Sequence, residues 1–226
     1  MILKVNGLTK EYKRGGTAFF AVHDVSLQLS AGDFFCITGR SGSGKSTLLN
    51  LLAGLLKPTR GSIEMEGRNI SSFNDKEASA YRNLKIGYIP QGHSVLANLT
   101  VLDNVKLPYY FYKREGDVTE KAMSLLEQAG IPHLARSYPK QLSGGELRRV
   151  SIARALMNDP VIFMADEPTN DLDTRTTAEM MKLFSEISHK GTAVLMVTHD
   201  LEAAQSANRI FKMDMGILTE ETRGSI

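Results

Sequence analysis

The chain has 226 residues, 42% of them hydrophobic and 23% charged, with a formal net charge of +2. That length suits one large domain or a domain carrying an inserted subdomain, and the balance is that of a globular chain rather than a disordered or fibrous one. So small a positive surplus does not point to nucleic acid, no run nears the roughly 18 to 20 apolar residues of a membrane span, and the opening MILKVNGLTKEYKR lacks the apolar stretch of a secretory signal, so a cytoplasmic chain is expected.

In chain order, the first thirty residues and the later stretch SIEMEGRNI read as short strands joined by turns, which predicts a small antiparallel sheet packed on the core. From Gly32 onward, strand-length apolar runs alternate with helix-period segments. FFCIT precedes STLLNLLAGLL, VIFMA precedes TRTTAEMMKLFSEI, AVLMV precedes DLEAAQSA, and RIFKM comes last. Such alternation predicts βαβ units on a parallel sheet. Cys36, the single cysteine, lies inside FFCIT and reads as a buried small hydrophobe.

Between Gln91 and about Pro160 the strands give way to helices. Thr100 and Asp103 resemble a capping box opening VLDNVKL, Pro108 is expected to interrupt that helix, and a second helix runs from about Val118 to a stop at Gly130. The expected organisation is therefore a single domain, with 1–90 and 160–226 forming the α/β core and β subdomain and 91–159 an inserted α-helical subdomain. His93, His133 and His189 lack metal-ligand spacing and are expected in solvent.

Gly39-Arg40-Ser41-Gly42-Ser43-Gly44-Lys45-Ser46 fits G-x-x-x-x-G-K-[ST] at every fixed position, with a strand before it and a helix after it. Glycines let successive backbone N–H groups turn toward one anion, and the helix N-terminus adds partial positive charge. Lys45 then reaches the β- and γ-phosphates and the Ser46 hydroxyl can ligate Mg²⁺. The fold class is thus an α/β P-loop NTPase (RecA-like) core. VIFMADE delivers Asp166 and Glu167 at the end of a strand. The aspartate there would hold Mg²⁺, and Glu167, one residue on and directed elsewhere, would polarise an attacking water. Downstream, LSGGE places Ser143, Gly144 and Gly145 before ELRRVSIARAL, whose Leu147, Val150, Ala153 and Leu156 mark an amphipathic helix.

In this order, with Gln91 between the first two glycine-rich motifs and His199 after AVLMVT, the sequence resembles the ATP-binding-cassette ATPases over nearly its whole length. GRSGSGKST, from Gly39 to Thr47, looks like the family's Walker A, VIFMADE its Walker B, LSGGE its signature, NDLD with Asp173 its D-loop and His199 its switch histidine. The resemblance implies that Tyr12 stacks on adenine, Gln91 contacts Mg²⁺ and the attacking water, and His199 holds the γ-phosphate. It also implies ATP and Mg²⁺ as cofactors and a head-to-tail homodimer in which Ser143, Gly144 and Gly145 close over the other chain's nucleotide, with the D-loop Asp173 also at the nucleotide. Pro90, Leu147 and the pair Asn170-Asp171 depart from the usual pattern, which bears on how tightly the cycle couples to a partner.

The insertion YKRGGTAFFAVHDVSL, the segment NLTVLDNVKLP and the compact ending look like the branch of lipoprotein-releasing and macrolide- or peptide-exporting ATPases. A separate transmembrane permease is then the expected partner, tethering the chain to the cytoplasmic face of the membrane. An ATPase that mechanically regulates a membrane partner controlling an extracytoplasmic enzyme is the alternative. A nucleic-acid ATPase is not favoured, since the chain shows neither a long coiled-coil insertion nor tandem cassettes. The aromatic stretch LPYYFYKREG is left open between packing within the insert, docking on a membrane subunit and a nucleic-acid platform.

Overall fold

Strands β3 (Phe34–Thr38), β7 (Ile162–Asp166) and β8 (Ala193–Thr198) are buried along their entire lengths, as strands covered on both faces must be. The computed structural model describes residues 1–92, 94–111 and 115–221. Among these, β6 (Ile86–Ile89), β9 (Arg209–Asp214) and β10 (Ile217–Glu221) complete a six-stranded sheet of order β10-β9-β3-β8-β7-β6, parallel except at the β10 edge. The period-two alternation of strand side chains divides the core. Phe35, Ile37, Met164 and Leu195 pack on one side, with helix α1 (Lys45–Leu52) and the second sheet. Phe34, Cys36, Phe163 and Met196 pack on the other, with α6 (Thr174–His189) and α7 (Leu201–Ala204).

The second sheet is antiparallel, β2-β1-β4-β5, built from β1 (Leu3–Arg14), β2 (Thr17–Leu29), β4 (Arg60–Met65) and β5 (Arg68–Asn69). It matches the small antiparallel sheet expected from the opening residues and SIEMEGRNI. Among the described strands and α-helices, three were not read from the sequence: β6, β10 and helix α2 (Asp75–Lys85). The last carries a readable signal, since Asn74 and Glu77 form a reciprocal capping box at its start.

A third hydrophobic cluster joins α3 (Val101–Tyr110), α4 (Thr119–Gln128) and α5 (Gly144–Leu156) through Val101, Val105, Leu126, Val150, Ala153 and Met157. Thr100 caps α3 by accepting the Asp103 N–H at 3.1 Å, as expected. Pro108 does not interrupt this helix, which continues to Tyr110. The residue falls in the last turn, where one lost backbone bond costs little cooperativity, and its carbonyl accepts from Asn158 Nδ2 at 3.2 Å. Gly130, at φ 74°, ends α4 with Ile131 N–H donating to Leu126 O at 2.9 Å, a left-handed stop that favours glycine.

Helix α5 is more than the single amphipathic stripe suggests. Val150 and Ala153 face the helical cluster, while Ile152 enters the core beneath the parallel sheet. Leu147 and Leu156 are only partly buried, whereas Arg148 is 5% exposed. No helix among the described residues is long and apolar enough to cross a membrane. Tyr109, Tyr110 and Phe111 of the aromatic stretch belong to α3 and its C-terminal end, and Tyr109 and Tyr110 pack edge to face at 5.4 Å. Tyr112, Lys113, Arg114 and His93 lie outside the described residues.

Candidate functional site

The carboxyl ends of β3, β7 and β8 open side by side, with Thr38 in register with Thr198 and Asp166 with Val197. In an open parallel sheet this edge is where ligands bind. The chain leaving β3 turns through Gly39, Gly42 and Gly44, all at positive φ (152°, 78° and 108°), and enters α1 with Gly44 as a cap that offers no side chain to the helix. The first N–H groups of α1 are therefore left facing outward, an anion-binding end. Only glycine fits twice here: an added Cβ would stand 2.3 Å from Met213 O at Gly39 and 1.9 Å from Ala21 O at Gly44.

Lys45 is 6% exposed. Its ammonium donates to the carbonyls of Gly39 at 2.7 Å and Arg40 at 3.2 Å and lies 3.6 Å from Glu167 Oε1. A cation folded inside its own loop by three oxygens is ready for an anion that enters the loop. Ser43 Oγ is buried in the same turn with no hydrogen-bond partner.

Ser46 Oγ donates to Asp166 Oδ1 at 3.1 Å. Burial pushes the Asp166 carboxyl above the usual carboxylate range, the Ser46 hydroxyl opposes that rise and the neighbouring Glu167 charge adds to it. A buried carboxylate beside a hydroxyl supplies the hard oxygen donors that Mg²⁺ takes. Among the described residues no cluster of three or more His, Cys, Asp or Glu side chains is poised to hold a metal. Two such donors suit an ion that takes its other ligands from substrate phosphates and water.

Glu167 follows the last residue of β7 and has φ 47°, with its N–H still donating to Val197 O at 2.9 Å. The left-handed turn is a strained conformation for glutamate. It carries the Glu167 side chain away from the direction of Asp166, so that Oε2 meets His199 Nδ1 at 2.9 Å and the His199 N–H at 3.2 Å. The glutamate is 8% exposed, while the His199 side chain is 61% exposed toward the opening. Lys45, Glu167 and His199 thus form one continuous polar line from the floor of the loop to solvent.

Above that line is an open cavity of about 750 Å³. It gathers Tyr12, Arg40, Ser41, Gly42, Gly44, Lys45, Ser46, Thr47, Gln91, Glu167 and His199, eleven of the positions singled out in the sequence. Gly39, Ser43 and Asp166 do not line it, although Gly39 and Asp166 bond to Lys45 and Ser46, which do. The wall also contains Phe19, Phe20, Asn170, Met215 and Gly216, which sequence reasoning missed as site residues. Tyr12 stacks on Phe19 with ring centroids 5.8 Å apart, so the rim of the cavity is a two-ring aromatic platform. Asn170 was noted only as a departure in the D-loop. Met215 and Gly216 belong to the β9–β10 turn, which the sequence signals only by a glycine.

Ser143, Gly144, Gly145 and Asp173 are not brought to this cavity. Ser143 caps α5: its N–H and hydroxyl both donate to Glu146 Oε2 at 2.7 Å, and its Oγ accepts the Glu146 N–H at 3.4 Å. Those bonds hold the Glu146 carboxyl below its usual range. Asp173 caps α6, accepting from Thr176 N–H at 2.9 Å and the Thr176 hydroxyl at 2.6 Å. The thiol of Cys36 is buried, as expected, and is pushed well above the ordinary range by that burial. His133 and His189 are exposed.

Comparison with known proteins agrees with this arrangement. The model of the ABC transporter family matches residues 22–170. The chain is 37% identical over 222 residues to the macrolide export ATP-binding/permease protein MacB of Chlorobium phaeobacteroides, an alignment covering 98% of this chain and 34% of that protein. It therefore spans about a third of that relative's length. Among solved structures, the dimeric bacterial ABC transporter cassette MJ0796 superimposes with a TM-score of 0.90 at 36% identity, each chain covered completely. A post-hydrolysis dimer of the same cassette, bound to ADP and Pi, gives the same values. A nucleotide-free ATP-binding cassette from an ABC transporter gives 0.82 at 28% identity, covering 97% of this chain and 90% of that one. With the phosphate cradle, the strand-end carboxylates and the glycine-rich helix start all in place, the chain belongs to the ABC transporter family, as an ATP-binding cassette.

Proposed function

We propose that this cassette binds and hydrolyses MgATP as a head-to-tail dimer and so drives a transmembrane permease, which tethers it at the cytoplasmic face of the membrane. The observation that carries the reading is the placement of Glu167 between Lys45, at 3.6 Å, and His199, at 2.9 Å, over a floor of glycine N–H groups. In this reading the α1 N-terminus and Lys45 hold the phosphates. Ser46, Asp166 and Gln91 would hold Mg²⁺, which when bound neutralises phosphate charge. Glu167 orients and polarises the attacking water, and His199 contacts the γ-phosphate once it occupies the space beside Glu167. Phosphoryl transfer needs mainly such positioning and charge stabilisation. Tyr12, at the aromatic rim, takes the base.

Two facts support a site shared between chains. The signature residues Ser143, Gly144 and Gly145 do not line the cavity of their own chain, and the similar cassette MJ0796 is dimeric, in one structure with ADP and Pi bound. In the dimer we propose, Ser143, Gly144, Gly145 and the D-loop Asp173 reach the partner's nucleotide. Residues 91–159 serve as the helical part of one cassette and the rest as its core. The relative MacB unites ATP-binding and permease in its name and exports macrolides. By that likeness, and by the resemblance of the sequence to the lipoprotein-releasing and macrolide- or peptide-exporting branch, we read the cargo as a lipoprotein, peptide or amphiphilic drug that is exported or extracted.

The test is Glu167→Gln. Loss of the carboxylate is expected to slow hydrolysis about 10²- to 10⁴-fold while ATP binding persists and the dimer accumulates with ATP trapped. Hydrolysis at the wild-type rate would remove Glu167 from the chemistry.

A further inference from the structure

Gln91 follows the end of β6 by two residues and stands in the cavity wall, but the described residues between β6 and α3 form no regular element to hold it. Its fastening comes from α5. Arg148 Nη1 donates to Gly92 O at 3.1 Å, one residue beyond Gln91. Arg154 grips two residues further on, Nη1 to Ser94 O at 2.7 Å and Nη2 to Ser94 Oγ at 2.6 Å. Downstream the loop is pinned a second time, by fully buried Asn104 of α3, which accepts the Leu96 N–H at 2.7 Å and donates to Leu96 O at 3.0 Å.

Two guanidinium groups, one buried and one half-buried, whose hydrogen bonds run to carbonyl and hydroxyl oxygens and which pair with no carboxylate among the described residues, are an expensive way to stabilise a fold, because a desolvated cation without such a partner keeps much of its desolvation cost. Burial lowers the pKa of both groups, and for Arg148 the charge of Asp171, in the D-loop, pulls the other way. Arg148 Nε is buried without a hydrogen-bond partner. What this arrangement provides is geometry. The planar fork of arginine fixes direction as well as distance. A 13-residue helix carries both forks on the same rigid body whose first turn is Gly144-Gly145.

We infer that Arg148 and Arg154 are positioning residues that set Gln91 from the signature helix, so that whatever seats the start of α5 against the partner chain also places Gln91 at the nucleotide. The inference rests on the reading of Gln91 given above. A displacement of α5 moves Gly92 and Ser94 with it, and Gln91 is bonded directly to Gly92.

A double-mutant cycle on the full chain tests it. Arg154→Met removes both bonds to Ser94, and Arg154→Lys keeps the charge without the fork. In the wild-type background Arg154→Met is expected to lower kcat about tenfold or more, leave KM for MgATP within about twofold, and be partly rescued by Arg154→Lys. In a Gln91→Ala background the same substitution is expected to add no further loss. A full multiplicative loss in that background, or a raised KM with kcat unchanged, would overturn the inference. Gln91→Ala with an unaltered kcat would instead sink the reading of Gln91 itself, and this inference with it. Thermal unfolding monitors the fold of each variant. Should Arg154→Met not fold, Arg154→Lys and Ser94→Ala run through the same cycle, each with a smaller loss that again vanishes when Gln91 is absent.

Discussion

The molecule carries two glycine-rich helix starts, and they are built on opposite principles. At the start of α1 the glycines are required by their own chain: each of Gly39, Gly42 and Gly44 has positive φ, and at two of them a Cβ would collide with backbone. The helix end is left uncapped by any side chain. At the start of α5 the helix is capped by a reciprocal Ser143–Glu146 box, and neither Gly144 nor Gly145 has positive φ. A Cβ at Gly144 would meet nothing within 4 Å, and one at Gly145 only the Thr176 and Leu172 side chains. Nothing among the described residues asks for glycine at 144. A small residue kept where the chain itself has room makes sense if the space is used by something approaching from outside, which in the proposed dimer would be the nucleotide on a second copy.

The sharpest way to break this contrast is to put the same methyl group at both starts. Gly44→Ala would force a Cβ to 1.9 Å from Ala21 O at φ 108°. We expect a loss of about 3 kcal/mol from overpacking and backbone strain, read by urea unfolding, together with loss of nucleotide binding. Gly144→Ala is expected to stay within about 0.5 kcal/mol of the parent but to hydrolyse ATP more slowly. Equal destabilisation by the two, or full activity in Gly144→Ala, would erase the distinction.

The next experiment separates the two starts by chain. Ser143→Arg blocks one and Lys45→Ala empties the other, and each variant alone is expected to be inactive. Mixed, they form heterodimers with one intact composite site and one doubly damaged one, and ATPase activity returns. No recovery on mixing would mean that both glycine motifs serve the same chain.

A smaller effect distinguishes a carboxylate held for a ligand from one held for the fold. Asp166 is 4% exposed and its pKa is raised by burial. The folded protein therefore binds its proton more tightly than the unfolded chain does. Stability from this group is present below the ordinary carboxylate range and is lost as pH rises through the raised value. Asp166→Asn is then expected to raise the unfolding midpoint of the nucleotide-free protein at neutral pH, by on the order of 1 kcal/mol. The gain should shrink on acidification, and the variant should lose the extra stability that MgATP gives the parent. A variant less stable than the parent at neutral pH without nucleotide would show that Asp166 serves the fold.

The contrast also marks how far sequence carries. The P-loop, the strand-end Asp166-Glu167 and the α5 start were legible because each couples a residue pattern to a periodic element beside it. The alternation of buried strands was legible for the same reason, since parallel strands covered on both faces leave unbroken apolar runs. Phe19, Phe20 and Met215 were not, because they reach the cavity from a hairpin and a turn that only the tertiary arrangement brings over the loop. The arginines of α5 were equally silent. Arg148 and Arg154 look like solvated charges in a helix, and only their partners, the backbone oxygens of Gly92 and Ser94, show what they hold. Pro108 misled because a helix tolerates proline where few backbone bonds remain to be lost.

The smallest effect expected is at the capped start itself. Glu146 accepts from both the N–H and the hydroxyl of Ser143, and those bonds, more than any neighbouring charge, hold its pKa down. For a depressed carboxyl the sign is the reverse of that at Asp166: the stability is present above the ordinary carboxylate range and is lost as pH falls through the lowered value. Glu146→Gln keeps an oxygen acceptor and completes the same capping box, but removes the negative charge from the positive end of α5. Since the group lies near solvent and is screened, the cost at neutral pH should be only about a few tenths of a kcal/mol. It should vanish once the wild-type carboxyl is protonated, which unfolding curves at neutral and acid pH can read. A pH-independent difference would mean that the cap acts through shape alone.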